Sequence, residues 1–127
     1  MFDTWAWWEI LHATPTGEAL SKKYLESPDV RVITVDLALV ELSAKLAREG
    51  RSAEIGTAVD AVEAASELTS IVPAAAKASG PLLIGLRRVD KNASLADAVM
   101  LAAARDLSAT LISGDPCFAG QKDVRSS

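Results

Sequence analysis

The sequence predicts an α/β fold in which helices pack against a central parallel sheet, and three observations carry the expectation. Residues 30–35 are β-branched almost throughout, which suits a short strand with a buried face. Long helical stretches separate this run from two further strand-like pieces, residues 70–72 and 109–113. The helix predicted over residues 95–107 is built of Leu, Ala, Val and Met and is apolar nearly all round, as a buried helix would be. Strands alternating with helices of this length point to right-handed βαβ units.

Taken in order, Trp5, Trp8 and Leu11 share a helical face within residues 4–13, and Pro15 and Gly17 are expected to end that helix. A second helix over 18–26, carrying Leu20, Tyr24 and Leu25, stops at Ser27-Pro28. After the strand at 30–35, Asp36 is expected to N-cap a helix over 37–49 that ends at Gly50. Ser52 is expected to cap the next helix, which runs to Glu67 and precedes the strand at 70–72. Pro73 suits the first turn of a helix that Gly80-Pro81 breaks or kinks and residues 82–89 resume. Ser94 opens the apolar helix, and Gly114-Asp115-Pro116 is the turn leaving the strand at 109–113.

At 127 residues the chain is expected to form a single domain over residues 1–127, burying roughly two-thirds of its unfolded surface. No linker, low-complexity tract or internal repeat divides it. With one His (His12) and one Cys (Cys117), zinc centres and two-histidine acid–base ribonucleases are excluded, and a lone cysteine fits a reducing cytoplasm. The apolar run at 5–11 is short, contains Glu9 and follows no basic residue, so neither a signal peptide nor a membrane span is expected. A net charge of −4 argues against a histone-like nucleic-acid binder, though not against an enzyme that touches phosphate locally.

Chemistry is thus left to carboxylates, hydroxyls and an acquired metal. Along one edge of a parallel sheet lie the strand carboxyl ends and the amino ends of the following helices, and ligands bind there. Asp3 and Asp115 fall at strand ends, and Glu41 and Asp97 in early helical turns, so the four are expected to converge on that edge. Each has a structural explanation by itself. Asp3 can cap a helix, Glu41 can pair with Lys45, Asp97 can complete a capping box with Ser94, and Asp115 is a good turn residue. Together, four like charges repel unless they are protonated or neutralised by a cation. An oxygen-only donor set selects magnesium or manganese, and such a site suits phosphodiester hydrolysis.

Four segments, in order and spacing, carry a family resemblance: Asp3-Thr4-Trp5-Ala6-Trp7, Glu41 at the end of Val35-Asp36-Leu37-Ala38-Leu39-Val40-Glu41, Ser94-Leu95-Ala96-Asp97-Ala98, and Ser113-Gly114-Asp115-Pro116-Cys117-Phe118. The chain resembles PIN-domain ribonucleases, and in particular the VapC toxin of a VapBC toxin–antitoxin pair. The resemblance covers almost the whole length. It implies a three-layer α/β/α sandwich with a central parallel sheet and a Mg2+- or Mn2+-dependent endoribonuclease. It assigns the catalytic, metal-holding quartet to Asp3, Glu41, Asp97 and Asp115, with Ser113 and Thr4 as supporting hydroxyls, and 5′-phosphate and 3′-hydroxyl products. It further implies an RNA substrate, a VapB-type antitoxin partner that covers the acidic edge or a neighbouring groove, and a homodimer.

Three departures from the family pattern stand out. Only Met1 and Phe2 precede Asp3, so the first strand is either cut short or begins upstream; Ser113 replaces the commoner threonine; and the tail after Val124 leaves room for a rudimentary last strand. Asp123 is read as a surface acid, His12 as a helix-end surface group and Cys117 as a half-buried thiol, none of them catalytic. The clustered tryptophans are read as packing residues in preference to base-stacking ones. Lys22, Lys23, Lys45, Arg48, Arg87, Arg88 and Lys91 are the basic candidates for holding RNA, with the pair Arg87 and Arg88 favoured at the rim of the acidic edge. A housekeeping PIN nuclease of RNA maturation and a catalytically silent PIN-like binding module are the alternative readings. A phosphoacceptor receiver domain is a poorer one, since it needs an adjacent acidic pair that Asp3-Thr4 does not supply. Setting the quartet aside leaves 13 acids against 13 basic residues, so the four carboxylates account for the formal −4.

Overall fold

Two parallel strand pairs, joined by residues 1–3, form the centre of the protein. A computed structural model describes residues 1–127. It contains helices α1 (Thr4–Leu11), α2 (Pro15–Leu20), α3 (Asp36–Arg48), α4 (Ile55–Ala65), α5 (Pro73–Val89) and α6 (Leu95–Asp106), and strands β1 (Ile33–Val35), β2 (Glu67–Thr69), β3 (Leu111–Ile112) and β4 (Val124–Arg125). In the first pair Ile33, Thr34 and Val35 face Glu67, Leu68 and Thr69; in the second Leu111 and Ile112 face Val124 and Arg125. Phe2 donates its N–H to Ile33 O at 3.0 Å, Ile112 N–H donates to Met1 O at 2.8 Å, and Asp3 N–H donates to Ile112 O at 3.3 Å. Residues 1–3 therefore lie between β1 and β3 and give the parallel order β2, β1, residues 1–3, β3, β4.

Strand alternation divides the core into two. Met1, Val35 and Leu111 face one cluster, shared with Leu86 of α5 and Leu101 of α6. Phe2, Val32 and Ile112 face the other, shared with Trp7 of α1, Leu20 of α2, Leu42 and Leu46 of α3 and Val62 of α4. Helices thus cover both sheet faces, giving the three layers that the family resemblance implies. Thr34 is fully buried on the second side, where its hydroxyl accepts from Trp7 Nε1 at 3.0 Å and meets Ser66 Oγ at 2.8 Å. Ser66 Oγ in turn donates to Val62 O at 2.8 Å, so one chain of bonds ties α1, β1 and α4 together. Helix α6 is buried from Ala98 to Ala104, as its composition requires.

Several elements differ from the sequence expectation. Pro15 opens α2 instead of closing α1: it occupies the first turn behind Thr14, whose Oγ1 accepts the Gly17 N–H at 3.0 Å. Gly17 lies inside α2 because α1 passes so close that a Cβ would sit 2.0 Å from Glu9 O. A π-helical turn, Ser21–Leu25, continues α2. Asp36 is the first helical residue of α3 and Val35 holds the cap position; Ser52 begins a short 3-10 turn, Ser52–Glu54, and makes no cap bond. Strand β2 forms at Glu67–Thr69, upstream of the expected 70–72, because Glu67 N–H pairs with Val32 O at 2.9 Å and Ser66 has already ended α4. Helix α5 runs unbroken through Gly80-Pro81, both of which are exposed, so the carbonyl that Pro81 leaves unpaired faces water. Residue 50 has φ +72°, the left-handed value for which glycine ends a helix.

No helix is long and apolar enough to cross a membrane. The α1–α2 approach makes Gly17 the most substitution-intolerant glycine in the chain: Gly17→Ala is expected to lose about 2–4 kcal/mol of stability in a urea titration, since backbone and not a flexible side chain stands in the way.

Candidate active site

The four acids are delivered by four segments. Asp3, the last of residues 1–3, leaves the sheet and caps α1, its Oδ1 accepting the Ala6 N–H at 3.0 Å. Glu41 lies in the second turn of α3, where its Oε1 accepts from Thr4 Oγ1 at 2.7 Å. Asp97 closes a reciprocal capping box: its Oδ2 accepts the Ser94 N–H at 2.8 Å and its own N–H reaches Ser94 Oγ at 3.1 Å. Asp115 caps a 3-10 turn, Pro116–Phe118, through Oδ1 on the Cys117 N–H at 3.0 Å, while its N–H donates to Ser113 Oγ at 3.1 Å. All four line one cleft of about 350 Å³, together with Thr4, Trp5, Ala44, Lys45, Arg48 and Met100.

Structural and chemical explanations of these acids hold at once. Asp3 and Asp115 are N-caps, Asp97 completes the Ser94 capping box, and each of the four has one named oxygen engaged by a hydrogen bond. Glu41 does not pair with Lys45; the Lys45 ammonium instead lies 4.1 Å from the centre of the Trp8 ring.

The electrostatics follow from burial and crowding. Asp3, only 5% exposed, has its pKa pushed up to about 7. Burial is the main cause and the Asp97 and Glu41 charges add to it, while the Ser113 hydroxyl and the Ala6 N–H pull it back. Glu41 is raised too, chiefly by burial and further by Asp97 and Asp115, against the Thr4 hydrogen bond and the Arg48 charge. Cys117 is fully buried, beyond the half-burial expected, and its thiol is held well above its ordinary range by burial and by Asp115 and Asp97. One ligand atom each from Asp97, Asp115 and Cys117 lie within 4.8 Å of one another. With the thiol kept protonated, the donors available at neutral pH are oxygens, the set preferred by hard divalent cations.

Of the residues singled out in the sequence, Asp3, Thr4, Glu41, Asp97 and Asp115 line the cleft, and the Ser113 hydroxyl accepts the Asp115 N–H. Arg87 and Arg88 are not in its walls; they end α5, and Arg87 Nε donates to Ala93 O at 3.1 Å. The basic wall is Lys45 and Arg48, which stand four and seven residues after Glu41 and so share its helical face. That spacing was the signal available for choosing them over the adjacent arginines. Asp123 pairs with Arg105 at 2.7 Å away from the cleft, and His12 stacks on Trp8 with Nδ1 2.8 Å from Trp8 O.

A family model described as "PIN domain" matches residues 1–122 of the chain. No curated protein sequence matches it significantly. Among solved structures, the chain is similar to a toxin–antitoxin complex from Klebsiella pneumoniae, at 19% identity and TM-score 0.69 over 98% of this chain and 94% of that one. It is also similar to VapBC2 from Rickettsia felis bound to a DNA fragment from its promoter, at 14% identity and TM-score 0.75 over 98% and 93%. A third similar structure is VapC20 of Mycobacterium tuberculosis, a toxin that cleaves the sarcin–ricin loop, at 20% identity and TM-score 0.68 over 94% and 93%.

The Asp3 environment has a measurable cost. Folded Asp3 keeps its proton until about pH 7, whereas an unfolded aspartate releases it near its ordinary 3.8. Its contribution is therefore complete below about pH 4 and is lost as pH rises towards 7, with a ceiling of about 4 kcal/mol. In chelator-treated protein Asp3→Asn, which keeps the cap without the charge, is expected to melt within a few degrees of the wild type near pH 4.5 and to gain more than about 5 °C over it beyond that difference at pH 8. Parallel melting curves across that range would contradict the assignment.

Proposed function

The chain belongs to the PIN domain family, and from that premise we propose that it is a metal-dependent endoribonuclease, the toxin component of a type II toxin–antitoxin pair. The single observation that carries the reading is the convergence of Asp3, Glu41, Asp97 and Asp115 on one cleft. Burial, and to a lesser degree the neighbouring carboxylates, raises the proton affinity of Asp3 and Glu41, and a cation held among the four acids would offset both. Magnesium or manganese fits the donors: four carboxylates, no histidine, and a thiol that stays protonated.

In this reading Asp3, Glu41, Asp97 and Asp115 hold the cation. A divalent ion bound there makes a nearby water more acidic and offsets negative charge gathering on a phosphate. The residues supply position. Thr4 fixes Glu41 through one oxygen, Ser113 holds the Asp115 backbone, and the Ser94 capping box aims Asp97. Lys45 and Arg48 meet the RNA backbone from the facing helix, Lys45 being steadied over the Trp8 ring. Hydrolysis joins the water oxygen to phosphorus, breaks the bond to the 3′ oxygen, and leaves a 5′-phosphate and a 3′-hydroxyl. The protein works in the cytoplasm as a homodimer, and a VapB-type antitoxin neutralises it; the three similar solved structures, two of them toxin–antitoxin complexes by description, support that partner class.

Two measurements test this. Asp97→Asn retains an acceptor for the Ser94 N–H, so its melting temperature should stay within a few degrees of wild type while manganese-dependent RNA cleavage falls by at least about 100-fold; full activity would remove Asp97 from the site. Charge reversal at Lys45 and Arg48 together should lower cleavage at moderate salt by about 10-fold or more and flatten its salt dependence, whereas reversal at Arg87 and Arg88, outside the cleft walls, should change it less.

A further inference from the structure

The three tryptophans have three different environments. Trp7 is 2% exposed, packs edge-on against Phe2 with ring centres 5.1 Å apart, and spends its N–H on Thr34. Trp8 is covered by His12, with ring centres 4.2 Å apart, and by the Lys45 ammonium. Trp5 alone stands in the wall of the acidic cleft. Its ring pairs with no other aromatic and lies against Gly114, where a Cβ would come within 2.4 Å of Cε2 and Cζ2. No buried side-chain polar atom in the protein lacks a partner, so the Trp5 Nε1–H, which bonds to nothing in the chain, is open to solvent. An indole with an unused donor thus lies against Gly114 in the wall that Asp3 and Asp115 also line, and the cations of Lys45 and Arg48 share its cleft.

Packing on the second core cluster accounts for the buried part of the ring, but a polar cleft built only to hold a cation does not use the part left in its wall. A nucleic-acid strand does: stacking on an aromatic face is tolerant of sequence and requires a base free of its own neighbours. We propose that Trp5 is the stacking platform for a nucleobase flanking the scissile phosphate. The proposal rests on the nuclease reading above and deepens it. Gly114 is then required for a reason beyond the turn: any side chain there would push the ring off the position it needs beside Asp115.

The test pairs a protein change with a substrate change. Cleavage of a loop-containing RNA is compared with that of two copies carrying an abasic nucleotide on the 5′ or the 3′ side of the cleavage position. Wild type should lose between about 5-fold and 100-fold in kcat/KM, mainly through KM, on one of the abasic substrates. Trp5→Phe should keep most activity, and Trp5→Leu should lose on intact RNA about what the abasic change costs, with no further loss on the abasic RNA. Equal loss by Trp5→Leu on intact and abasic RNA would overturn the proposal, as would a wild type indifferent to both abasic positions, a result that stands even if Trp5→Leu fails to fold. No manganese-dependent cleavage by the wild type would overturn the nuclease reading itself and this proposal with it. Cleavage without base dependence would overturn this one alone.

Discussion

The backbone pairing of residues 1–3 is the constraint on which the rest of the structure depends. β1 with β2 and β3 with β4 are separate two-member ladders, short enough that neither would persist unaided. Bonds from Phe2 to Ile33 and between Met1, Asp3 and Ile112 join them into one surface. The same alternation sends Met1 to one core and Phe2 to the other, so three residues seat both layers of helices. It also directs the chain out of the sheet at Asp3, in the cleft where Glu41, Asp97 and Asp115 arrive from other segments. Architecture and site are fixed by one set of hydrogen bonds.

Much of this was legible in the chain because the decisive signals are local. The capping box at Ser94 and Asp97, the proline and glycine around Asp115, and the β-branched run before Asp36 can each be read within a few residues, and they place acids at the ends of elements. What was not legible depended on partners distant in sequence. Pro15 and Gly17 read as a stop; only the approach of Glu9 shows why glycine stands inside α2. Ile71 and Val72 have the better strand chemistry, yet the ladder forms on Glu67–Thr69, where the register with β1 falls, and leaves both residues exposed. Gly80-Pro81 should break a helix, but both lie on an exposed side, where a lost backbone bond costs least. Arg87 and Arg88 drew notice as a pair, whereas helical geometry set Lys45 and Arg48 on the Glu41 face.

The cleft opposes the stability of the fold that builds it. Burial and neighbouring carboxylates raise the proton affinity of Asp3 and Glu41, and the thiol of Cys117 rises beside Asp97 and Asp115. An arrangement favourable to a cation is thus unfavourable to the bare protein, and the two cores on either side of the sheet must carry the difference.

The caps that hold the acids have a consequence in entropy. A carboxylate at the end of a free side chain gives up rotational freedom when it takes a ligand. Here Asp3, Asp97 and Asp115 give up much of theirs when their helical turns form, and Glu41 does so when Thr4 bonds to it. That ordering is in place without an ion, so a cation binding there would draw on little further ordering of the protein. An ion entering or leaving such a cleft would not require its carboxylates to be ordered anew.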